Sequence, residues 1–177
     1  MVALLLGLGQ SPDIAGTPAC ESGTVEIVCG AERETLGEAL QELRKLNELV
    51  PKPPSLPSVA EVEAMETRLG LKFHPDYVQF LLEASDVVFD VLEPATITDP
   101  ESHTYLPNVA AAAWEVGVDR SWLPICEVNG DYYVLKPTGE VMYWSHDGNV
   151  REESWPDLAT WIREVWIGEA EADPSPL

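Results

Sequence analysis

Basic residues are scarce in this chain: 10 Lys and Arg stand against 31 Asp and Glu among 177 residues, a formal net charge of −21. A surface of that sign repels phosphate backbones and anionic lipid head groups, which argues against direct nucleic-acid binding and against a membrane partner. It is compatible with a basic protein partner. Cysteine is sparse too, with Cys20, Cys29 and Cys126 giving an odd number and no C-x-x-C spacing. Neither a disulfide framework nor a zinc site is indicated, and a reducing cytoplasm fits best. Cys126 falls in an expected strand, where burial as a small apolar side chain is favoured over a reactive thiol. Long apolar runs are missing as well. The opening MVALLLGLGQ has no Lys or Arg before it and falls short of the ~20 apolar residues that span a bilayer. Neither a signal peptide nor a lipidated Cys20 is expected, since Thr17, Pro18 and Ala19 make a poor processing site.

Catalytic signatures are equally thin. An enzyme needs a nucleophile with a base, a carboxylate pair or a metal cluster, and the chain offers three histidines, His74, His103 and His146. His74 occupies a helix corner, where capping or packing accounts for it. His146 lies beside Asp147 and Gly148 in a polar turn, and His103 lies in an acidic loop. A metal site built from His103 or His146 with nearby carboxylates has no supporting ligand spacing. No G-x-S-x-G, phosphate loop or dinucleotide fingerprint occurs. No catalytic residue, cofactor or metal is therefore expected.

What is present is enough for one globular domain, since 45% of the residues are hydrophobic. The prolines of PKPPSLP, residues 51–57, cannot continue a helix and mark a connector between unequal parts. Residues 1–50 form an N-terminal extension with a short β-branched strand, Thr24 to Cys29, and a helix over 34–50 carrying the stripe Leu36, Leu40, Leu43, Leu46 and Val50. That extension could pack on the main domain, stand as an arm or mediate oligomerisation, and its composition does not choose. Residues 58–167 form the main domain, and 168–177 an acidic tail that frays.

Within the main domain, Ser58 and Glu61 make a capping box for a helix whose apolar face is Val62, Met65 and Leu69, closed by Gly70. Pro75 opens a second helix, about Asp76 to Ala84, with Tyr77, Phe80, Leu81 and Ala84 on one face. Val87 to Val91 is expected as a strand, Thr96 to Thr98 as another, and Pro107 and Asn108 as the start of a helix through Trp114. A three-stranded antiparallel meander follows, turned at Asn129 and Gly130 and again at Pro137 to Gly139. Ser154 and Asp157 are expected to box the last helix, with Pro156 in its first turn and Leu158, Trp161, Ile162 and Val165 against the sheet. The six tryptophans, numerous for this length, are expected chiefly in the core and over the seam between helix and sheet, with one or two free to anchor a partner.

Three segments in this order, LGLKFHPDYVQFLL (69–82), WLPICEVNGDYYVLKPTGEVMYW (122–144) and SWPDLATWIREVW (154–166), resemble the SUKH superfamily. That group contains a yeast cell-wall-synthesis regulator and many bacterial toxin-immunity proteins. The likeness spans about residues 58–167 and implies an α+β fold in which an antiparallel sheet, including the meander, packs against helices. One departure is that the family usually has Asn-Gly after the second helix, where this chain has Ala84, Ser85 and Asp86.

The resemblance implies an immunity protein that neutralises a cognate toxin by stoichiometric occlusion, with a regulatory adaptor or scaffold as the alternative. Toxins paired with such proteins often act on nucleic acid and are basic around their clefts. Charge in this sequence suits that partner, because no Lys or Arg occurs between Lys72 and Arg120 while nine acids do. Asp86, Asp90, Glu93, Asp99 and Glu101, with Glu127 and Asp131 by the hairpin, are the expected partner contacts.

Overall fold

The helix corner is built as its residues dictate. The computed structural model describes residues 35–147 and 153–168. All of these lie in the second of two compact units, Arg33–Leu177, and the first unit, Met1–Glu32, falls outside the described residues. So do the expected strand Thr24 to Cys29 and the tail beyond Gly168. Helix α2, Val59–Leu69, starts at Ser58, whose hydroxyl accepts the Glu61 amide while the Glu61 carboxylate returns to the Ser58 amide at 2.7 Å. Gly70 ends it at φ 67°, in the left-handed region where glycine carries no Cβ penalty. Helix α3, Pro75–Ala84, begins with Pro75 in the first turn and His74 as its cap, the imidazole accepting the Asp76 amide at 3.3 Å.

Helix α1, Leu36–Lys45, packs its apolar face into the same core, with Ala39, Leu40 and Leu43 essentially inaccessible. The expected helix over 34–50 is shorter, ending at Lys45 with residues 47–50 non-helical, and its ten residues pack on the main domain, the first of the placements that composition left open for the extension. The helix is tied down by Arg44, whose Nε donates to the Glu83 carbonyl at 2.6 Å, and by Glu42, which accepts from Arg163 at 3.0 Å.

Helix α4, Leu106–Val116, closes on Gly117 at φ 114° and leads into the sheet. Strands β1 (Leu123–Val128), β2 (Asp131–Leu135), β3 (Val141–Trp144) and β4 (Ser154–Trp155) follow in spatial order, all antiparallel. Asn129 and Gly130 both have positive φ, 53° and 88°, as a two-residue hairpin turn requires. Tyr132 to Leu135 are buried in succession, so the sheet is covered on both faces. Tyr133 meets Trp161 on one face at 5.3 Å between ring centroids, and Tyr132 meets Trp144 on the other at 6.1 Å.

The closing helix differs in detail from expectation. Ser154 belongs to β4, and the cap is Asp157 alone, its carboxylate accepting both the Thr160 amide at 2.8 Å and the Thr160 hydroxyl at 2.7 Å. Helix α5, Leu158–Trp161, then widens into a π-helical segment, Ile162–Ile167. Trp161 and Trp166 are buried there, while Trp114, Trp122, Trp144 and Trp155 are half-buried against the core.

Val87 to Val91 is not a strand, despite its β-branched composition. Its backbone is satisfied by the end of α1 rather than by a sheet neighbour: Asn47 Oδ1 accepts the Val88 amide at 2.9 Å, and the Glu48 amide donates to the Val88 carbonyl at 2.8 Å. Asp90 at φ 54° then breaks the extended run. Further on, Thr96 makes only an isolated bridge to Tyr105, so Thr96 to Thr98 is not a strand either.

Candidate functional site

The segment after α3 carries most of the acids expected to meet a partner, and two anchors fix its path. Ser85 caps α3 by donating its hydroxyl to the Leu81 carbonyl at 2.7 Å, which seals the helix without the Asn-Gly usual in the family. At the other end β1 has a bulge between Pro124 and Cys126, and the Ile125 carbonyl there accepts the Ala95 amide at 2.7 Å. Pro94 bridges Cys126 directly. The segment between these anchors therefore runs from the end of α3, past Asn47 and Glu48, to the outer edge of β1, which it meets at Pro94 and Ala95.

This arrangement sorts the seven candidate acids into groups with different surroundings. Asp86 is half-buried and paired with Arg44 at 2.7 Å. Asp99 faces Lys52 at 3.5 Å and accepts the Glu101 amide at 3.1 Å, so it shapes the turn on which exposed Glu101 sits. Asp131 is enclosed by the hairpin: Tyr143 donates to it at 2.7 Å, and the His146 ring and amide reach it at 2.6 and 3.1 Å. Burial raises the Asp131 pKa, but the hydrogen bonds from Tyr143 and His146 prevail and hold it down to about 2.

Asp90, Glu93 and Glu127 form the remaining group, exposed and gathered around two adjoining depressions. The larger is a cavity of about 120 Å³, walled by buried Phe80, Val87, Leu92, Pro94 and Trp166, with Asp90, Glu93 and His103 among its exposed lining. The smaller, about 50 Å³, lies between Val91, Glu93, His103 and Glu127. His103 Nε2 and Glu93 Oε2, 2.6 Å apart, border both. Among the described residues no Lys or Arg lines either depression. Val91 beside them is 81% exposed, unusual for a valine.

The sequence reading missed His103 as a partner of Glu93 and missed the apolar cavity. Ten residues separate Glu93 from His103, a spacing with no motif value. The cavity walls come from α3, the following segment and the closing helix, so no local pattern announces them.

The other reactive groups are committed elsewhere. Cys126 is fully buried, and burial pushes its thiol up to about 12, against nucleophilic use. Ser102, beside His103, has its hydroxyl engaged with Thr104 Oγ1 at 2.8 Å and with the Thr104 amide at 3.2 Å. Among the described residues no cluster of three His, Cys, Asp or Glu side chains is arranged to hold a metal, and no helix is long and apolar enough to cross a membrane.

Comparison with known proteins agrees with this architecture. A crystal structure of a protein from Pseudomonas syringae pv. tomato is 44% identical with a TM-score of 0.71, over 75% of this chain and 98% of that one. No curated protein matches. The family described as SUKH_5: SMI1-KNR4 cell-wall matches residues 36–167, from the first residue of α1 to the last of the π-helical segment. With most of its length matched and its helices and antiparallel sheet arranged as described, the chain belongs to the SUKH_5 (SMI1-KNR4) family.

Proposed function

We propose that this protein is an immunity protein, binding a cognate bacterial toxin and neutralising it by occlusion. The observation that carries the reading is the group of three exposed carboxylates, Asp90, Glu93 and Glu127, around depressions that no Lys or Arg lines among the described residues. Carboxylates left without compensating cations attract a basic surface, accelerate encounter and fix orientation. Exposed Val91 and the apolar cavity beside them offer the desolvated contacts that slow dissociation. A toxin acting on nucleic acid is basic around its cleft and matches this surface.

Protection then requires one copy of this protein per toxin and no bond-making step. The engaged states of Ser102 and Cys126 support that reading. Such a protein must meet its toxin in the cytoplasm, which also suits a buried cysteine kept as a thiol.

The test is to recover what co-purifies with the full chain, express the recovered toxin domain in cells, and ask whether this protein protects them. Recovery of signalling partners without any toxin domain would favour the regulatory adaptor instead. Given a toxin, Asp90→Lys, Glu93→Lys and Glu127→Lys combined should slow association by about 10-fold or more at low salt and flatten its salt dependence. Asp99→Lys and Glu101→Lys should change it less. Equal effects from both sets would remove this face from the interface.

A further inference from the structure

We infer that the cavity behind Asp90 and Glu93 is a receptor for one arginine side chain of the partner. This rests on the reading above only in taking the occupant from a protein. Size comes first. At about 120 Å³ the cavity is well below the roughly 300–1,000 Å³ of clefts that enclose drug-sized ligands. It is close to the ~150 Å³ engineered cavity that takes a benzene ring, so it fits a single side chain.

Chemistry narrows the choice. Phe80, Val87, Leu92 and Trp166 are at most 7% exposed and give the interior apolar walls. Asp90, Glu93 and Ser102 line the more accessible part with carboxylate and hydroxyl oxygens. An apolar stem ending in a cation meets both requirements. A guanidinium fits better than an ammonium, because its five donors in one plane can serve two carboxylates together. A wholly apolar side chain would partly desolvate the carboxylates at the mouth and supply them no donor of its own. Glu93 Oε2 already lies 2.6 Å from a planar ring nitrogen, His103 Nε2, with both side chains exposed.

The cavity contains its own reporter. Trp166 forms part of the wall, and its indole N–H donates to the Phe89 carbonyl at 3.0 Å, so that signal is separately observable. The experiment titrates Nα-acetyl-arginine methylamide into the full chain at constant ionic strength, with Nα-acetyl-citrulline methylamide as the neutral isostere and the lysine analogue as a second cation. Saturable shifts at the Trp166 indole and the Leu92 and Glu93 amides are expected with arginine. They should be about tenfold weaker with citrulline and in Glu93→Gln, and absent in Val88→Phe, which fills the cavity from its half-exposed wall.

Equal binding of citrulline would make the cavity a shape receptor and overturn the inference, as would equal binding of lysine. Unsaturable shifts spread over the acidic surface would overturn it too. A chain that protects against its toxin but gives no saturable arginine response loses the cavity assignment and keeps the immunity function. A chain that binds arginine as described but protects against nothing loses the immunity function and keeps the cavity.

Discussion

Among the described residues Glu66 is the one charged residue that is buried, and its carboxylate joins the two sides of the helix corner. It accepts the Phe73 amide at 2.9 Å and Lys72 Nζ at 2.6 Å, while its own carbonyl accepts the Leu71 amide. The Lys72 hydrogen bond and the Phe73 amide together lower its pKa against the opposing effect of burial. Replacing it by alanine leaves a buried amide without an acceptor, and Glu66→Ala should cost about 1–3 kcal/mol in urea denaturation. A loss no larger than that of Glu63→Ala would show that the corner does not need it. Because the folded-state pKa is lowered, the Glu66 contribution is present above the unfolded carboxylate value and is lost as pH falls through the folded one.

Asp131 and His146 work as a pair with opposite limbs. The Asp131 contribution is present above its ordinary value of 3.8 and is lost as pH falls toward about 2. The His146 pKa is raised chiefly by its hydrogen bond to Asp131, so its contribution is full below the ordinary 6.5 and is lost as pH rises through the folded value. Asp131→Asn should return the His146 pKa toward ordinary, read directly from an NMR titration of its ring protons. An unmoved titration would mean that Asp147, whose carboxylate lies 3.1 Å from Nε2, sets it instead.

Among the elements, the second turn of the meander bears on the cap of α3. A Cβ built on Gly139 would come within 2.8 Å of His74 Nε2, and its φ is +92°. Gly139→Ala should therefore destabilise twice over, through backbone strain of about 1–3 kcal/mol and through displacement of the imidazole that accepts the Asp76 amide. Thermal unfolding of Gly139→Ala alone and combined with His74→Ala separates the two. If the double substitution is fully additive, the steric link between turn and cap is absent. At this level the sequence was readable wherever an element closes on its own neighbours. The caps at Ser58 and Gly70, Pro75 in the first turn of α3 and the Asn129-Gly130 turn needed nothing else. Ser154 was misassigned because a capping-box pattern looks the same when its first residue is paired in a strand.

For the molecule as a whole, net charge opposes folding. With a formal −21, self-repulsion weakens the compact state and screening relieves it. Raising ionic strength from about 0.01 to 0.15 M, where the Debye length shrinks from roughly 30 to 8 Å, should raise Tm by ~2–4 °C for each 1 kcal/mol relieved. A falling Tm would mean that ion pairs such as Arg44–Asp86 and Lys136–Glu140 outweigh the repulsion.

The cation-free stretch from Lys72 to Arg120 is a fact of the chain, but it is not uniform in space. Arg44 and Lys52 come in from upstream to cover Asp86 and Asp99, leaving Asp90, Glu93 and Glu127 around depressions that His103 borders but that no Lys or Arg lines among the described residues. The helix corner from Ser58 to Ala84 and the hairpin were readable from residue order because they depend on dihedral preference and on periods of a few residues, while the family and its α+β class were readable through the resemblance of three ordered motifs. Three features required the folded chain: the docking of α1 in the core, the failure of Val87 to Val91 to pair, and the joining of Glu93, His103 and Glu127 around a cavity. Each rests on a contact between distant residues. Neighbours along the chain carry no trace of it, because it arises only when packing brings those surfaces together and some of their charges find partners.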